Sequence, residues 1–419
     1  MRSLYFFFVL LFCGTTLLAQ QARPGEIIIC RTNGEQMPRG MMIPESSVHL
    51  KADPRSEWIV TFTDSVPAEA EEIIRYAADV WAQYLYSAVP IHVTVDWGDR
   101  GDERLLASAG PGLILRDFEG ARDSITWYPV ALAESIFGEP YSVGPDTTDI
   151  FVSVNSTANW AYQTEGRIPR TRTDLATVIL HELGHGLGFL SSIRTEGDTI
   201  VGDTTARLGF GDDGYNIIYD EFLQTPSGLS LADTSLFANP SPELLLAIID
   251  RLRFGGDHAV ARNGDTLVPL YAPETFDVGS SVSHLDERTY RTGTINGLMT
   301  PSLASGEVIR DPGPLTLGIM EDIGWDVIYD LVPTREVIAG QLRVFPNPTN
   351  NSFTLPLAEV KLPSVAILYA ADGREARRQD ISNQGPQATF DVTGLAPGLY
   401  TLFVPDGGRA FSSRVMVSR

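Results

Sequence analysis

The spacing of apolar residues divides most of the first 330 positions into strands and helices. Alternating runs at residues 58–63 and 91–97 each predict a strand with one buried face. Between these runs, Pro67 is followed by apolar residues at helical spacing, namely Ile73, Ile74, Ala77, Val80, Trp81 and Leu85. The order strand, helix, strand predicts the start of a layered α/β arrangement. His92, in the strand predicted at residues 91–97, is expected to lie on the surface.

Further downstream the pattern predicts one more strand and two more helices. The strand covers residues 149–155, and residues 98–148 before it, rich in Gly, Pro and Asp, are expected to form loops and short strands. Thr173 and Asp174 offer an N-cap for a helix through the apolar run at 178–189. A second helix is expected to end at Gly324. Residues 56–330 are therefore expected to form one α+β domain.

From Leu342 onward the pattern changes to short alternating strands separated by turns. Runs at 352–355, 365–369 and 398–404 predict a small all-β sandwich over residues 342–419. Residues 331–341 are expected to be a linker between the two parts.

The first 55 residues divide into a targeting segment and an extension. Arg2, a short apolar run and a small residue at Ala19 are typical of a secretory signal peptide over residues 1–19. Its apolar run is too short for a membrane span, and the chain has no other candidate. Residues 20–55 are expected to be a loose N-terminal extension or pro-segment. Without Cys13 of the signal, Cys30 is the only cysteine, so no intramolecular disulfide can form.

Composition narrows the class of protein. The 419 residues carry a formal net charge of −22, which argues against nucleic acid or an anionic membrane surface as a partner. The hydrophobic fraction of 43% is enough for a sizeable core. Both properties are typical of a soluble extracellular protein.

The helix expected after Asp174 carries the pattern H-E-x-x-H. His181 and His185 lie four residues apart, so both side chains can reach one metal ion from one helix face. Glu182 is turned by about 100° from His181, which places its carboxylate beside the metal, where a general base is needed. Only six histidines occur in the chain, so a chance match is improbable. The pattern predicts a zinc site with Glu182 as the catalytic base.

A catalytic zinc needs a third protein ligand. The compact metzincin signature places a histidine six residues after the second one, but Ser191 stands there, after Gly188. The remaining histidines include His258 and His284. A carboxylate from a downstream helix is another candidate, and the nearest are Glu221 and Glu243. Met299, in a Leu-Met-Thr-Pro turn shortly after His284, looks like a Met-turn and favours His284.

Taken together, these motifs resemble leishmanolysin-type metzincins and their bacterial relatives. The resemblance rests on the H-E-x-x-H-x-x-G pattern, on Ser283-His284, on Leu298-Met299-Thr300-Pro301 and on the Asp-Ile-Gly-Trp sequence that ends at Trp325. In that family an insertion displaces the third histidine, which implies an insertion at 192–283 here. The resemblance implies a twisted mixed sheet, Zn²⁺ held by His181, His185 and His284, and Met299 beneath the site. The many disulfides of the family are absent from this chain.

Three finer expectations concern the surroundings of the site. The strand at 149–155 is our candidate for pairing with extended substrate, as a strand along the cleft does in zinc peptidases. Residues 209–214 are expected to be a solvated turn, with a Ca²⁺ site as the alternative. Cys30 is expected to be an ordinary free or buried thiol, with a latency role as a zinc-capping thiolate as the alternative.

The C-terminal module resembles the type IX secretion sorting domain. The resemblance rests on residues 344–350, 372–374 and 395–400 and on the basic end at 415–419. It implies the type IX secretion machinery as a partner and export across the outer membrane, with release or surface attachment. The alternative is a generic sandwich that binds carbohydrate or packs on the catalytic domain.

The whole chain is therefore expected to be a secreted zinc endopeptidase that cleaves extracellular proteins or peptides. Two alternatives are an adhesin or binding protein on a metallopeptidase scaffold without turnover, and a protein with a purely structural zinc. Glu182 argues against both, because neither has a use for a base beside the metal.

Overall fold

The computed structural model describes residues 21–37, 54–141, 147–197, 204–211, 214–249, 251–328, 338–357, 365–370, 375–381, 385–406 and 409–418. The chain divides into two compact units, Met1–Val332 and Pro333–Arg419. The expected signal peptide at 1–19 and linker residues 331–337 lie outside the described residues, as do Asp212 and Asp213 of the expected turn at 209–214. Within the described residues, no helix is both long and apolar enough to cross a membrane.

The first unit combines short strands with a few helices and is a mixed α+β structure. Its strands in chain order are β1 (Gln21–Pro24), β2 (Ile28–Gln36), β3 (Trp58–Phe62), β4 (Leu85–Tyr86), β5 (Ile91–Gly98), β6 (Leu105–Pro111), β7 (Leu113–Arg116), β8 (Tyr128–Pro129), β9 (Ile150–Asn155), β10 (Trp160–Ala161), β11 (Thr173–Asp174), β12 (Arg194–Glu196), β13 (Thr205–Arg207), β14 (Leu223–Gln224), β15 (Arg253–Phe254), β16 (Val268–Pro269), β17 (Ser302–Ser305) and β18 (Asp326–Val327). Its helices are α1 (Ala68–Tyr84), α2 (Val130–Phe137), α3 (Leu175–Gly186), α4 (Pro242–Ile248), α5 (Asp257–Arg262) and α6 (Gly313–Ile323), with a 3₁₀ helix at Ile218–Phe222.

A six-stranded sheet in the order β17-β2-β6-β9-β5-β3 organises this unit. Strands β3, β5 and β9 are parallel, whereas β6 runs antiparallel to both β9 and β2. On β5, Ile91, Val93 and Val95 are buried while His92 is half-exposed, which explains the alternation in the sequence and confirms the surface position of His92. Helices α1 and α3 pack on the sheet and on each other. The Trp81 indole of α1 donates to the Leu180 carbonyl of α3 at 2.9 Å.

The N-terminal segment is not the loose extension that the sequence suggested. Residues 28–36 form β2, which lies inside the main sheet between β6 and β17. Ile28 and Cys30 point into the core and are 5% and 2% exposed. Because both edges of the strand are hydrogen-bonded and one face is buried, this part of the expected extension belongs to the folded unit. Residues 38–53 lie outside the described residues.

The expected substrate-pairing role of the strand at 149–155 is wrong. This strand, β9, is paired along one edge with β5 and along the other with β6. A strand whose two edges are both occupied has no free N–H or C=O groups to offer a peptide. An extended peptide would therefore have to pair with another strand.

Helix α2, at Val130–Phe137, arises where the sequence was expected to form only loops and short strands. It begins directly after Pro129 and ends at Gly138, which adopts a left-handed φ of 83°. Eight residues are too few for helical spacing to stand out within a Gly- and Pro-rich region, so the helix depends on burial rather than on intrinsic propensity.

The second unit is all-β. Its strands are β19 (Ile338–Gln341), β20 (Ser352–Pro356), β21 (Val365–Tyr369), β22 (Glu375–Asp380), β23 (Gln387–Asp391), β24 (Gly398–Asp406) and β25 (Arg409–Val417). They form a five-stranded sheet, β19-β25-β24-β21-β22, and a two-stranded sheet, β20-β23. Side chains from both sheets, including Phe353, Phe390, Leu402 and Val415, share one hydrophobic core. The module begins earlier than expected, because β19 pairs with β25 instead of belonging to the linker.

Candidate metal centre

Helix α3 is held at its N-terminus by a buried ion pair. The carboxylate of Asp174 caps the helix by accepting from the Thr177 amide at 2.9 Å and from the Thr177 hydroxyl at 2.5 Å. The Arg310 guanidinium also donates to this carboxylate and to the carbonyls of Thr164 and Gln163. This confirms the expected N-cap and fixes where the first turn of α3 lies.

Three histidines meet at one point beside α3. His181 and His185 project from the helix, and His284 arrives from the far end of the chain. The Nε2 atom of His185 lies 3.0 Å from that of His181 and 3.2 Å from that of His284, and the third pair is 3.3 Å apart. All three side chains are buried, at 3%, 0% and 0% exposure. The structure therefore brings together the three histidines that were predicted as ligands.

Each imidazole is oriented by a backbone carbonyl. Nδ1 of His181 donates to the Leu298 carbonyl at 2.7 Å. Nδ1 of His185 donates to the Phe189 carbonyl at 2.6 Å. Nδ1 of His284 donates to the Ser280 carbonyl at 2.7 Å. A carbonyl oxygen can only accept, so Nδ1 carries the proton and each Nε2 keeps a free lone pair. Such carbonyl contacts are how proteins set the tautomer of metal-binding histidines.

Burial keeps these rings neutral at physiological pH. It lowers the pKa of His181 to about 4 and, together with His181 nearby, lowers the pKa of His284 to about 3. The pKa of His185 lies well below its usual value because of burial and its two neighbouring histidines. Three neutral nitrogen donors whose lone pairs converge are a suitable set for Zn²⁺ and repel one another without a cation between them. The residues present therefore fit a zinc ion.

Glu182 lies next to the three histidines, and the Cys30 thiol lies beside its carboxyl. Its side chain is 0% exposed, and neither carboxylate oxygen accepts a hydrogen bond within the described residues. Burial raises the pKa of this carboxyl well above its usual value. A buried carboxyl without a partner is costly, which is typical of a group kept for chemistry rather than for stability.

Met299 and Gly184 pack together beneath the histidines. Met299 is fully buried, and a Cβ on Gly184 would lie 2.8 Å from its sulfur atom. The carbonyl of Met299 accepts from the Leu285 amide at 2.7 Å, directly after His284 in the chain. The residue predicted to form a Met-turn thus connects α3 to the loop that carries His284.

Ser191 occupies the sequence position of the missing third histidine but has a structural contact instead. Its hydroxyl donates to Asp220 at 2.6 Å, and its amide donates to the Ser283 hydroxyl at 3.0 Å. Asp220 also accepts from the Ser192 amide at 3.0 Å. These bonds join the start of the insertion to its end beside His284. Asp220 was not predicted, and one acidic residue in a polar and aromatic stretch gives no distinct signal in the sequence.

The other ligand candidates lie elsewhere. His258 Nδ1 is 3.1 Å from the Glu321 carboxylate, with a half-exposed side chain. The Glu221 carboxylate accepts from the side-chain amide of Asn216 at 2.7 Å, and Glu243 is exposed on α4. Each of these groups has another partner or is exposed, and each lies away from the three histidines. His49 lies outside the described residues.

Cys30 is a free, buried thiol, as the sequence predicted, and it lies beside Glu182. Its sulfur, together with one ligand atom each of His181 and Glu182, forms a group whose members lie within 4.8 Å of one another. Burial and the nearby Glu182 carboxylate raise the pKa of the Cys30 thiol well above its usual value. Strand β2 therefore reaches Glu182.

The chain matches two described families, each over part of its length. Residues 123–202, which include His181, Glu182 and His185, match a family described as SPBPB7E8-like. Residues 343–418 match the secretion system C-terminal sorting domain. No curated protein matches the chain.

The second match confirms the sorting module that the sequence predicted. This domain is found in proteins secreted by the type IX system to the cell surface or the extracellular space. The chain is therefore a type IX cargo, and the secretion machinery is a partner.

Proposed function

We propose that the protein is a zinc-dependent endopeptidase that acts on extracellular proteins or peptides. The observation that carries this proposal is the convergence of three Nε2 lone pairs beside the fully buried carboxyl of Glu182. A purely structural zinc site has no use for such a carboxyl, whereas hydrolysis needs a base close to the metal.

In this proposal His181, His185 and His284 hold Zn²⁺. Zinc would lower the pKa of water and polarise the scissile carbonyl. Glu182 takes the proton from the attacking water and delivers it to the departing amine. Burial raises the pKa of this carboxyl above its ordinary value, which makes it a stronger base toward the attacking water. The carbonyls of Leu298, Phe189 and Ser280 hold the imidazoles in the orientation that this requires.

We further propose that the unit is a metzincin of the leishmanolysin type. The contact of Met299 with α3 and the return of the chain at His284 after a long insertion support this assignment. The bonds of Ser191 and Asp220 support it as well, since they give Ser191 a structural role in place of a ligand role.

The direct test is cleavage of casein by the zinc-loaded chain and by Glu182→Gln. Loss of the general base is expected to lower the rate by about 10²–10⁴-fold, because proton transfer contributes that much to such reactions. Addition of a chelator is expected to abolish the wild-type activity, and zinc to restore it. Equal cleavage by wild type and Glu182→Gln would contradict the proposal.

A further inference from the structure

A cavity of about 510 Å³ lies beside the segment that follows the third histidine, outside the metal centre. It is lined by residues 251, 253, 269–273 and 286–289, and none of the three histidines or Glu182 is among them. This volume is in the range of cavities that bind small ligands, about 300–1,000 Å³. The cavity is therefore a candidate for a binding site that the metal centre does not include.

The walls of the cavity are three paired segments of chain. Arg253 of β15 lies opposite Pro269 of β16 in an antiparallel pair. The Asp286 amide donates to the Pro269 carbonyl at 3.1 Å, so the segment after His284 pairs with β16 as well. Because backbone hydrogen bonds connect all three segments, the side chains that line the cavity are held by paired backbone.

The cavity and the third histidine lie on the same face of this pairing. Leu270 and Leu285 form a bridge between the two segments, and both are buried, at 2% and 0% exposure. At the neighbouring pair, the Tyr271 amide donates to the His284 carbonyl at 2.9 Å. Side chains alternate between the two faces, so Tyr271 and His284 both point away from the side of the leucines, and Tyr271 lines the cavity. A ligand in the cavity is therefore adjacent to the segment that supplies the third metal ligand.

Three arginines line the cavity, namely Arg251, Arg253 and Arg288. The chain as a whole carries a formal net charge of −22, so a group of three guanidinium groups differs from its average surface. Among the described residues, no carboxylate forms an ion pair with Arg253 or with Arg288. Their charges are therefore available to an anionic ligand.

The two carboxylates that line the cavity are held by other groups. Asp286 accepts from the Thr289 amide at 3.1 Å and from the Thr289 hydroxyl at 2.6 Å. Glu287 accepts from the Ser302 hydroxyl at 2.8 Å. With three guanidinium groups against two carboxylates that already have partners, the lining of the cavity favours an anion.

We propose that this cavity binds the acidic side chain of an Asp or Glu residue in the polypeptide substrate, close to the scissile bond. The inference rests on the proposed peptidase function, because it assigns a substrate preference to that reaction. Guanidinium groups bind carboxylates through paired N–H···O hydrogen bonds, and Asp and Glu supply the carboxylates inside a polypeptide. Tyr271 and the two prolines of the lining, Pro269 and Pro273, offer apolar contacts to the methylene groups of such a side chain.

The test compares three short peptides that are otherwise built from Gly, Ser, Ala and Leu. The first has one central Glu and an amidated C-terminus, the second has Gln in place of Glu, and the third has Gln and a free C-terminal carboxylate. Binding is measured by fluorescence anisotropy on the zinc-loaded full chain with Glu182→Gln, so that no peptide is hydrolysed during the titration. The Glu peptide is expected to bind about tenfold more tightly than either Gln peptide, because hydrogen bonds between charged partners are the strong ones.

Arg253→Gln and Arg288→Gln are each expected to remove most of this preference. Arg291→Gln is the matched control, because Arg291 is exposed, follows Arg288 by three residues and does not line the cavity. It removes the same charge from the same segment and is expected to keep the preference for Glu. The zinc content of each variant checks that the segment carrying His284 is still folded.

Four results would overturn the proposal. One is equal binding of the Glu peptide and the amidated Gln peptide. Another is a preference for Glu that both cavity variants retain. A loss in Arg291→Gln as large as in the cavity variants would show an effect of net charge alone. A gain confined to the peptide with the free carboxylate would assign the cavity to a chain terminus.

Cleavage separates this inference from the proposed function. Wild type is expected to cleave the Glu peptide with a higher kcat/KM than the amidated Gln peptide. Cleavage of casein without any difference between the two peptides would keep the peptidase function and refute the preference. Preferential binding of the Glu peptide by a chain that cleaves neither casein nor the peptides would keep the carboxylate site and refute the peptidase function.

Discussion

The two ends of helix α3 carry buried carboxyl groups with opposite surroundings. At the N-terminal end, Asp174 is fully buried and receives hydrogen bonds from Thr177 and an ion pair from Arg310. Two turns later, Glu182 is equally buried and receives none within the described residues. The first carboxylate contributes to stability through its partners, whereas the second costs stability and is available for proton transfer. Burial alone therefore does not distinguish these two carboxyl groups; their partners do.

The largest expected effect is a difference in stability between substitutions at these two ends. Asp174→Asn is expected to lower the free energy of unfolding by about 3–5 kcal/mol, because it removes the buried carboxylate that pairs with Arg310. Glu182→Gln is expected to leave the free energy of unfolding unchanged or higher, because it removes an unpartnered carboxyl. Urea unfolding of both variants measures the difference. Equal losses would show that Glu182 has a structural partner after all.

Zinc is expected to stabilise the end of α3 that carries the histidines. At about 1,000 times its Kd, a ligand of the native state adds about 4 kcal/mol to the free energy of unfolding. Wild type and His258→Ala are each expected to gain this stability and to retain one zinc. His284→Ala is expected to lose most of the added stability and most of the bound zinc. Calorimetry with metal analysis provides the measurement. Unchanged zinc content in His284→Ala would refute the assignment of the third ligand.

Glu307 provides an intermediate case between Asp174 and Glu182. It accepts from the Ala304 amide at 3.1 Å and from the Gly293 amide at 3.3 Å, yet burial raises its pKa from 4.5 to about 7. Because the pKa in the folded state is the higher one, the stabilising contribution is complete below pH 4.5 and is lost as the pH rises toward 7. Relative to Glu307→Gln, wild type is expected to lose about 3 kcal/mol over that window. Thermal unfolding at a series of pH values checks this, and parallel curves for the two proteins would contradict it.

The smallest expected effect concerns the contact beneath the histidines. Gly184→Ala is expected to cost about 1–2 kcal/mol, because its Cβ would meet the Met299 sulfur at 2.8 Å. In a Met299→Ala background, the same substitution is expected to stabilise α3, since Ala is a better helix former than Gly. A double-mutant cycle measures the coupling between the two positions. Additive effects would show that Met299 does not support the helix.

Several elements were predictable because their signal is local. The alternation of β5, the Asp174 cap and the Gly324 end of α6 are all present in the structure where the sequence placed them. The sorting module was predictable in the same way, and its family match confirms it. Helix α2 and the early start of β19 could not be predicted, because short elements depend on long-range packing more than on their own residues.

The sequence by itself determined the pair His181 and His185, since two ligands four residues apart on a helix are fixed by helical geometry alone. It also indicated His284 and Glu182, but it left the contacts of Ser191, Cys30 and Asp220 undetermined. Only the tertiary structure decided that β9 is central and that Cys30 of β2 lies beside Glu182. The physical reason is that strand order and register are set by pairing between residues that are distant in the chain, which no local pattern specifies.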